Sequence, residues 1–212
     1  MDRPREGARR LTPVTTLYFV RHGESEANAA QVFAGQTDSP LTAKGREQAK
    51  VVAAALRPVP FDRIVASTLS RTKDTAEQIA AGRGIAVETF EELKEIDLGD
   101  AAGKPFDEMR GLPNYDGDGF TQWPGGESLV AVVTRAMRVI DRLVAESRGK
   151  TICVVGHGGV TRILVSGFMG VLPKLIRLPA TNTNITIVRH APGRGYVVDE
   201  MFNDAHVVQV AE

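Results

Sequence analysis

The strongest constraint on the fold is an alternation between short runs of β-branched and aromatic residues and longer stretches with helical periodicity. Strand-like runs fall at Thr16 to Arg21, Arg63 to Ala66, Thr151 to Gly156, Asn184 to His190 and Tyr196 to Phe202. Between most of them, apolar residues return every three or four positions. After Thr42, a natural N-cap, come Ala49, Val52, Ala53 and Leu56, and Pro58 ends the pattern. A longer helix is predicted to start near Glu127, with Leu129, Val132, Val133, Ala136, Ile140, Leu143 and Val144 on one face and Gly149 closing it. Strands joined through helices pair in parallel and are covered on both faces. The expected class is therefore α/β, a three-layer α/β/α arrangement around a central, mostly parallel sheet. From Gly99 to Gly126 the periodicity fails and glycine, proline and aspartate accumulate. That stretch reads as a helical and loop excursion over the site, with one short helix around Pro105 to Arg110.

At 212 residues, 42% of them hydrophobic, the chain is large for one domain yet short for two independent cores. One domain over residues 15–212 is expected, preceded by a flexible N-terminal tail over residues 1–14. Arg9 and Arg10 raise the thought of a twin-arginine export signal, but Leu11 to Val20 is broken by Pro13 and three threonines and runs straight into Arg21 and His22. No run reaches the roughly 18 apolar residues of a membrane span, so a cytoplasmic protein without a membrane partner is expected. Basic and acidic residues balance at 26 each, so no overall field draws the chain to nucleic acid. The same neutrality gives no handle on symmetry, and a homodimer is left open. The lone Cys153 lies in an apolar run and suits a buried strand better than a reactive thiol.

Three polar clusters sit where a strand is predicted to run into a loop or helix: Arg21-His22-Gly23-Glu24, Ser67 to Arg71, and Gly156-His157-Gly158-Gly159. In open α/β sheets the carboxyl ends of parallel strands share one edge, where ligands bind. Two histidines and two arginines are thus expected to converge. A neutral imidazole can attack phosphorus in line while guanidinium groups hold the equatorial oxygens, so such a site needs neither metal nor cofactor. Helices beginning near Ser70 and Gly158 would add N–H groups and positive dipole ends aimed at the anion. The partner this chemistry implies is a small phosphorylated metabolite.

The ordered set resembles the histidine phosphatase superfamily, also called phosphoglycerate-mutase-like. The motifs that carry the resemblance are Arg21-His22-Gly23-Glu24 with Asn28, Ser67-Thr68-Leu69-Ser70-Arg71 and Gly156-His157-Gly158. To these are added the segments from Gly35 to Thr42 and from Leu93 to Gly99, then Gly125 to Ser128 and Asn203 to His206. The resemblance implies that His22 is the phosphorylated nucleophile, that Arg21, Asn28, Arg71 and His157 hold the phosphoryl group, and that Glu95 is the general acid. Gly23 would let the backbone pass close to phosphate. Gln36, Thr37 and Gly158 are further candidates for substrate binding, although Gln36 and Thr37 also suit a loop ahead of the Thr42 cap. Trp123 either stacks on substrate or anchors the excursion, and His190 and His206 read as structural.

Within the family the phosphatase branch fits best, giving hydrolysis of small organic phosphate monoesters. The alternatives are a cofactor-dependent phosphoglycerate mutase, for which the chain looks short, and a noncatalytic phosphate-binding protein, which would usually lack a core residue. Many relatives carry Trp-Glu-Gly after the Leu-Gly-Asp motif, where this chain has Ala101-Ala102-Gly103. Asn114, Asp116, Asp118 and Gly119 imitate a calcium loop, but its twelfth position is Gly125 instead of a bidentate glutamate. Four scattered histidines and one cysteine make a zinc site improbable.

Overall fold

The computed structural model describes residues 13–108, 122–176 and 179–208. Its elements are β1 (Thr15–Arg21), α1 (Glu26–Ala29), α2 (Ala43–Ala55), β2 (Arg63–Ser67), α3 (Ser70–Ala80), β3 (Val87–Phe90), α4 (Leu129–Glu146), β4 (Thr151–Gly156), α5 (Gly158–Phe168), β5 (Ile185–Ala191), β6 (Gly195–Asn203) and α6 (Ala205–Val208). The strands form one six-stranded sheet in the order β3-β2-β4-β1-β5-β6. The pairings β1–β4, β2–β4 and β2–β3 are parallel, whereas β5 runs antiparallel to both β1 and β6. Only β5 therefore points against the others, and the sheet is mostly parallel as expected.

Alternation along the strands explains the three layers, because successive side chains of a strand face opposite sides. Leu17, Phe19, Val65, Ile152 and Val154 pack with the apolar stripe of α4 and with Val160, Ile163 and Leu164 of α5. Val20, Ile64, Ala66, Cys153 and Val155 face the other way, onto Val52 and Leu56 of the α2 segment and Ala76 and Ile79 of α3. Each fully buried aliphatic residue contributes about 1.5–3 kcal/mol by leaving water. Cys153 is fully buried and free, and burial pushes its thiol up to about 12.

The start signals act as read. Thr42 Oγ1 accepts from the amide of Gly45 at 2.9 Å, and Ser128 Oγ accepts from that of Ala131 at 3.1 Å. The longer helix, α4, therefore begins two residues after Glu127, and it ends at a Ser147 cap two residues before Gly149, which has φ +75°. The short strand β3 joins the sheet edge without having been foreseen. The excursion is pinned at its base: Asp100 N donates to Pro124 O and Glu127 N to Asp97 O, both at 2.9 Å. Trp123 is buried in the core cluster and tilted against Phe33, so it anchors this base. The middle of the excursion lies outside the described residues, and with it the turn resembling a calcium loop and residues 109 and 110; of the helix expected around Pro105 to Arg110, the described part is a bridge from Val32 to Pro105 followed by a turn at Phe106 and Asp107. Most of the 1–14 tail lies outside them as well. Among the described residues no helix is long and apolar enough to cross a membrane.

Candidate active site

Register is what brings the two histidines together. Arg21 of β1 is aligned with Gly156 of β4, so His22 and His157, each one residue farther on, leave the sheet side by side. Their rings stand edge to face with centroids 5.2 Å apart. The amide of His22 is fixed by the carbonyl of Gly156 at 3.1 Å. On the far side of β4, Ser67 ends β2 with its Oγ 2.8 Å from Nε2 of His157.

Nδ1 of His22 lies 2.6 Å from the carbonyl oxygen of Gly23. A carbonyl only accepts, so Nδ1 carries the proton and Nε2 keeps its in-plane lone pair. Burial first, then the positive charges of Arg21 and Arg71, hold this imidazole well below its ordinary range, against the opposing bond to Gly23. The ring is thus neutral in a pocket of positive charge, a combination that leaves a nucleophile unprotonated beside groups suited to an anion.

Both arginines are aimed by main chain. The Arg71 guanidinium is almost fully buried and donates to the carbonyls of Gly35 at 2.9 Å and Thr37 at 3.1 Å. Arg21 donates through Nη1 to Ala180 O, while its buried Nε has no hydrogen-bond partner among the described residues. Burial lowers Arg21 to about 10, with Glu95 opposing and Arg162 and Arg71 adding to the drop. That is still high enough for a fixed positive charge. A Cβ on Gly158 would stand 3.3 Å from Ala180 Cβ and 3.4 Å from Arg21 Nε, close to ordinary contact.

Glu95 reaches the same site from the loop after β3. Its Oε1 accepts from the amides of Ile96 at 3.0 Å and Val160 at 3.2 Å, and its Oε2 from that of Gly159 at 3.2 Å. The carboxyl group is therefore seated on the first turn of α5, next to His157.

The full-length arrangement has clear counterparts. The sequence matches the histidine phosphatase superfamily (branch 1) over residues 17–203. The chain belongs to that superfamily. It is 34% identical over 175 residues to the adenosylcobalamin/alpha-ribazole phosphatase of Salmonella typhimurium, covering 78% of this chain and 82% of the relative. It is 33% identical over 205 residues to the probable phosphoglycerate mutase GpmB of Salmonella choleraesuis, covering 90% and 94%. Among solved structures, YhfR of Bacillus stearothermophilus superposes with a TM-score of 0.82 at 34% identity, covering 91% of this chain and 99% of that one.

In this member of the superfamily, two details add to the sequence reading. The N-termini of α3 and α5 were expected to offer their N–H groups to an anion, and carboxylates of the chain itself take some of those groups. Asp38 Oδ1 accepts from the Ser70 amide at 2.8 Å, and Glu95 takes those of Gly159 and Val160. Gly23 also has to be small for a reason that the sequence did not show. A Cβ on it would stand 2.3 Å from the Gly45 carbonyl oxygen, because the loop after β1 crosses the first turn of α2 at backbone distance.

The remaining candidates are placed as follows. Asn28 closes a capping box with Ser25, and its Oδ1 accepts from Asn182 Nδ2 at 3.1 Å; the same Nδ2 donates to His22 O at 3.1 Å. Gln36 Nε2 donates to Glu95 O at 3.1 Å, so it touches the general-acid candidate through main chain. Thr37 enters only through its carbonyl, the one held by Arg71. Ala101 is buried in the core cluster and Ala102 is exposed. His190 packs beside Tyr196 with ring centroids 4.7 Å apart and pairs with Thr15 at the start of β1, whereas His22 follows the end of that strand. Among the described residues there is no group of three or more His, Cys, Asp or Glu that could hold a metal ion.

Sequence reasoning missed Arg135 of α4. It forms a paired contact with Glu127 at 2.7 and 2.8 Å and donates to the carbonyls of Glu92, Lys94 and Glu95 at 2.6, 2.7 and 3.0 Å. One guanidinium thus ties the Glu95 loop to α4. Asn182 and Ala180, on the loop before β5, were missed as well, and Ala180 acts through a carbonyl that no sequence motif encodes.

Proposed function

We propose that the chain is a metal-independent phosphatase that hydrolyses small organic phosphate monoesters through a phosphohistidine on His22. The observation that carries this reading is the His22–Gly23 contact of 2.6 Å, which leaves the Nε2 lone pair free among Arg21, Arg71 and His157. In the proposed sequence, Nε2 attacks phosphorus and the bond from phosphorus to the ester oxygen breaks. Arg21, Arg71 and His157 take up the charge on the equatorial oxygens. Glu95, as the acid, gives its proton to the departing alkoxide. The resulting carboxylate then takes a proton from water as that water attacks phosphorus, and the N–P bond breaks to release inorganic phosphate. Identity to an alpha-ribazole phosphatase supports the hydrolytic reading and places alpha-ribazole phosphate on the list of substrates to try.

A mutase reading is favoured by the match to a probable phosphoglycerate mutase over 90% of this chain. It would use the same residues and return the phosphoryl group to substrate instead of to water. The deciding experiment measures phosphate release from p-nitrophenyl phosphate, 3-phosphoglycerate and alpha-ribazole phosphate in EDTA, with His22→Ala as control. Hydrolysis that survives EDTA and falls by about a thousandfold or more in the variant supports the phosphatase. Isomerisation of phosphoglycerate without release overturns it in favour of the mutase, and no turnover at all in favour of a phosphate-binding protein.

A further inference from the structure

Ser67 belongs to a motif of the sequence, yet the proposed chemistry gives it no task. It is fully buried, as are Thr72 and His157. Proton bookkeeping along these three side chains favours one arrangement. Thr72 Oγ1 lies 2.7 Å from Leu69 O and 3.0 Å from Ser67 O. Carbonyls only accept, so the one hydroxyl hydrogen of Thr72 is spent on them. Toward Ser67 Oγ, 2.7 Å away, Thr72 therefore accepts, and the hydrogen of Ser67 goes to Thr72. Ser67 is left with lone pairs, one of which faces His157 Nε2 at 2.8 Å. In this arrangement that nitrogen is the N–H donor. The other ring nitrogen, Nδ1, is buried without a hydrogen-bond partner among the described residues.

We infer that Ser67, oriented by Thr72, is a positioning residue that holds neutral His157 as its Nε2–H tautomer, keeping Nδ1 as the atom that gains a proton and donates to a bound phosphate oxygen. The inference rests on the phosphatase reading for the second half of that statement only. Its first half concerns the free protein. The surroundings of the ring agree with a form that is neutral until an anion arrives. Burial lowers the imidazole well below its usual range, and His22, Arg71, Arg21 and Arg135 push the same way. A dianionic phosphate would reverse that balance and draw a proton onto Nδ1. In the opposite tautomer Nδ1–H would be buried without an acceptor among the described residues, and Ser67 could donate to Nε2 only if Thr72 turned its hydrogen from the two carbonyls to Ser67 Oγ.

The test uses protein labelled with 15N at histidine and long-range proton–nitrogen correlation spectra of the free enzyme. Wild type is expected to show His157 with its proton on Nε2. Ser67→Ala removes the acceptor, so the preference should vanish and the dissociation constant for inorganic phosphate should rise about tenfold or more, as for loss of a hydrogen bond to a charged group. Thr72→Ser keeps the relay and should retain both the tautomer and phosphate affinity. Thr72→Val frees the Ser67 hydroxyl to donate to Nε2 and should shift the proton toward Nδ1. These outcomes separate orientation from mere packing, which would not move a tautomer. An Nδ1–H tautomer in wild type, or an unchanged tautomer and phosphate affinity in Ser67→Ala, overturns the inference. Should Ser67→Ala not fold, the Thr72→Ser and Thr72→Val pair decides the same point. Absence of hydrolysis by wild type would instead count against the phosphatase reading and leave the tautomer result standing on its own.

Discussion

A Cβ added to Gly159 would stand 2.6 Å from Oε1 of Glu95 and 2.8 Å from Cδ1 of Ile96. The second residue of α5 and the seated carboxyl group therefore compete for one small volume. Both obstructing atoms are ends of flexible side chains, which can move without breaking the fold.

The expected result for Gly159→Ala is thus selective. Alanine favours a helix over glycine by roughly 1 kcal/mol, so stability should hold or rise. Displacing the acid should matter most where the leaving group needs a proton. Hydrolysis of an alkyl phosphate should fall about tenfold or more, while p-nitrophenyl phosphate, whose phenolate leaves readily, should be affected far less. Equal loss on both substrates would rule out this account of Gly159.

Gly23→Ala is expected to act on the fold instead. Its Cβ would meet the backbone of Gly45 at 2.3 Å, and the reciprocal Cβ on Gly45 would meet Glu24 O at 2.0 Å. Neither backbone can yield locally, so either alanine should cost about 2–3 kcal/mol, as overpacked sites do. Denaturant midpoints of the two variants check this, and an unchanged midpoint would mean that the loop and α2 can separate freely.

Arg135→Ala removes the bonds that tie Glu92, Lys94, Glu95 and Glu127 together. Glu127 would stay partly buried without its cation. A loss of about 3 kcal/mol is expected by analogy with other broken, partly buried ion pairs. Because Arg135 holds only the main chain at Glu95, kcat on alkyl phosphates should drop more than the affinity for inorganic phosphate. Arg135→Lys should recover part of the stability but not the paired geometry.

Acid should destabilise the protein through its two site histidines. Burial first, and then neighbouring cations, hold His22 and His157 well below 6.5 in the folded state. In the unfolded chain both titrate near 6.5, so below that pH the unfolded state binds protons that the folded state refuses. Stability present above about pH 6.5 is then lost as pH falls, by up to about 1.4 kcal/mol per pH unit for each ring. Urea unfolding between pH 7 and pH 5 should show this slope, and a His22→Asn, His157→Asn double variant should flatten it. Saturating phosphate should reduce it in wild type.

How much of this was legible in the sequence depended on whether the signal was local. The runs at Thr151–Gly156 and Arg63 onward read as strands because they are apolar on both faces and bounded by turn residues. Val87–Phe90 escaped notice because it is four residues long, lies at the sheet edge and is buried only in part. His22 and His157 were identifiable since each follows a strand directly, and parallel register does the rest. Arg135 could not be found that way: it sits within α4, and besides Glu127 its partners are main-chain groups some forty positions earlier. The same holds for Ser67, whose residue type was visible but whose proton depends on a tertiary contact with His157.

The grip on Arg21 and Arg71 comes from the carbonyls of Ala180, Gly35 and Thr37. Every residue except for its side chain supplies the same carbonyl, so position 37 or 180 can be exchanged for another residue without removing the acceptor. The two guanidiniums keep their aim while the loops that carry these carbonyls drift in sequence. Under the proposed function, a lineage of such proteins could therefore explore new leaving groups at the rim of the pocket without first having to rebuild the two guanidiniums proposed to hold the phosphoryl group.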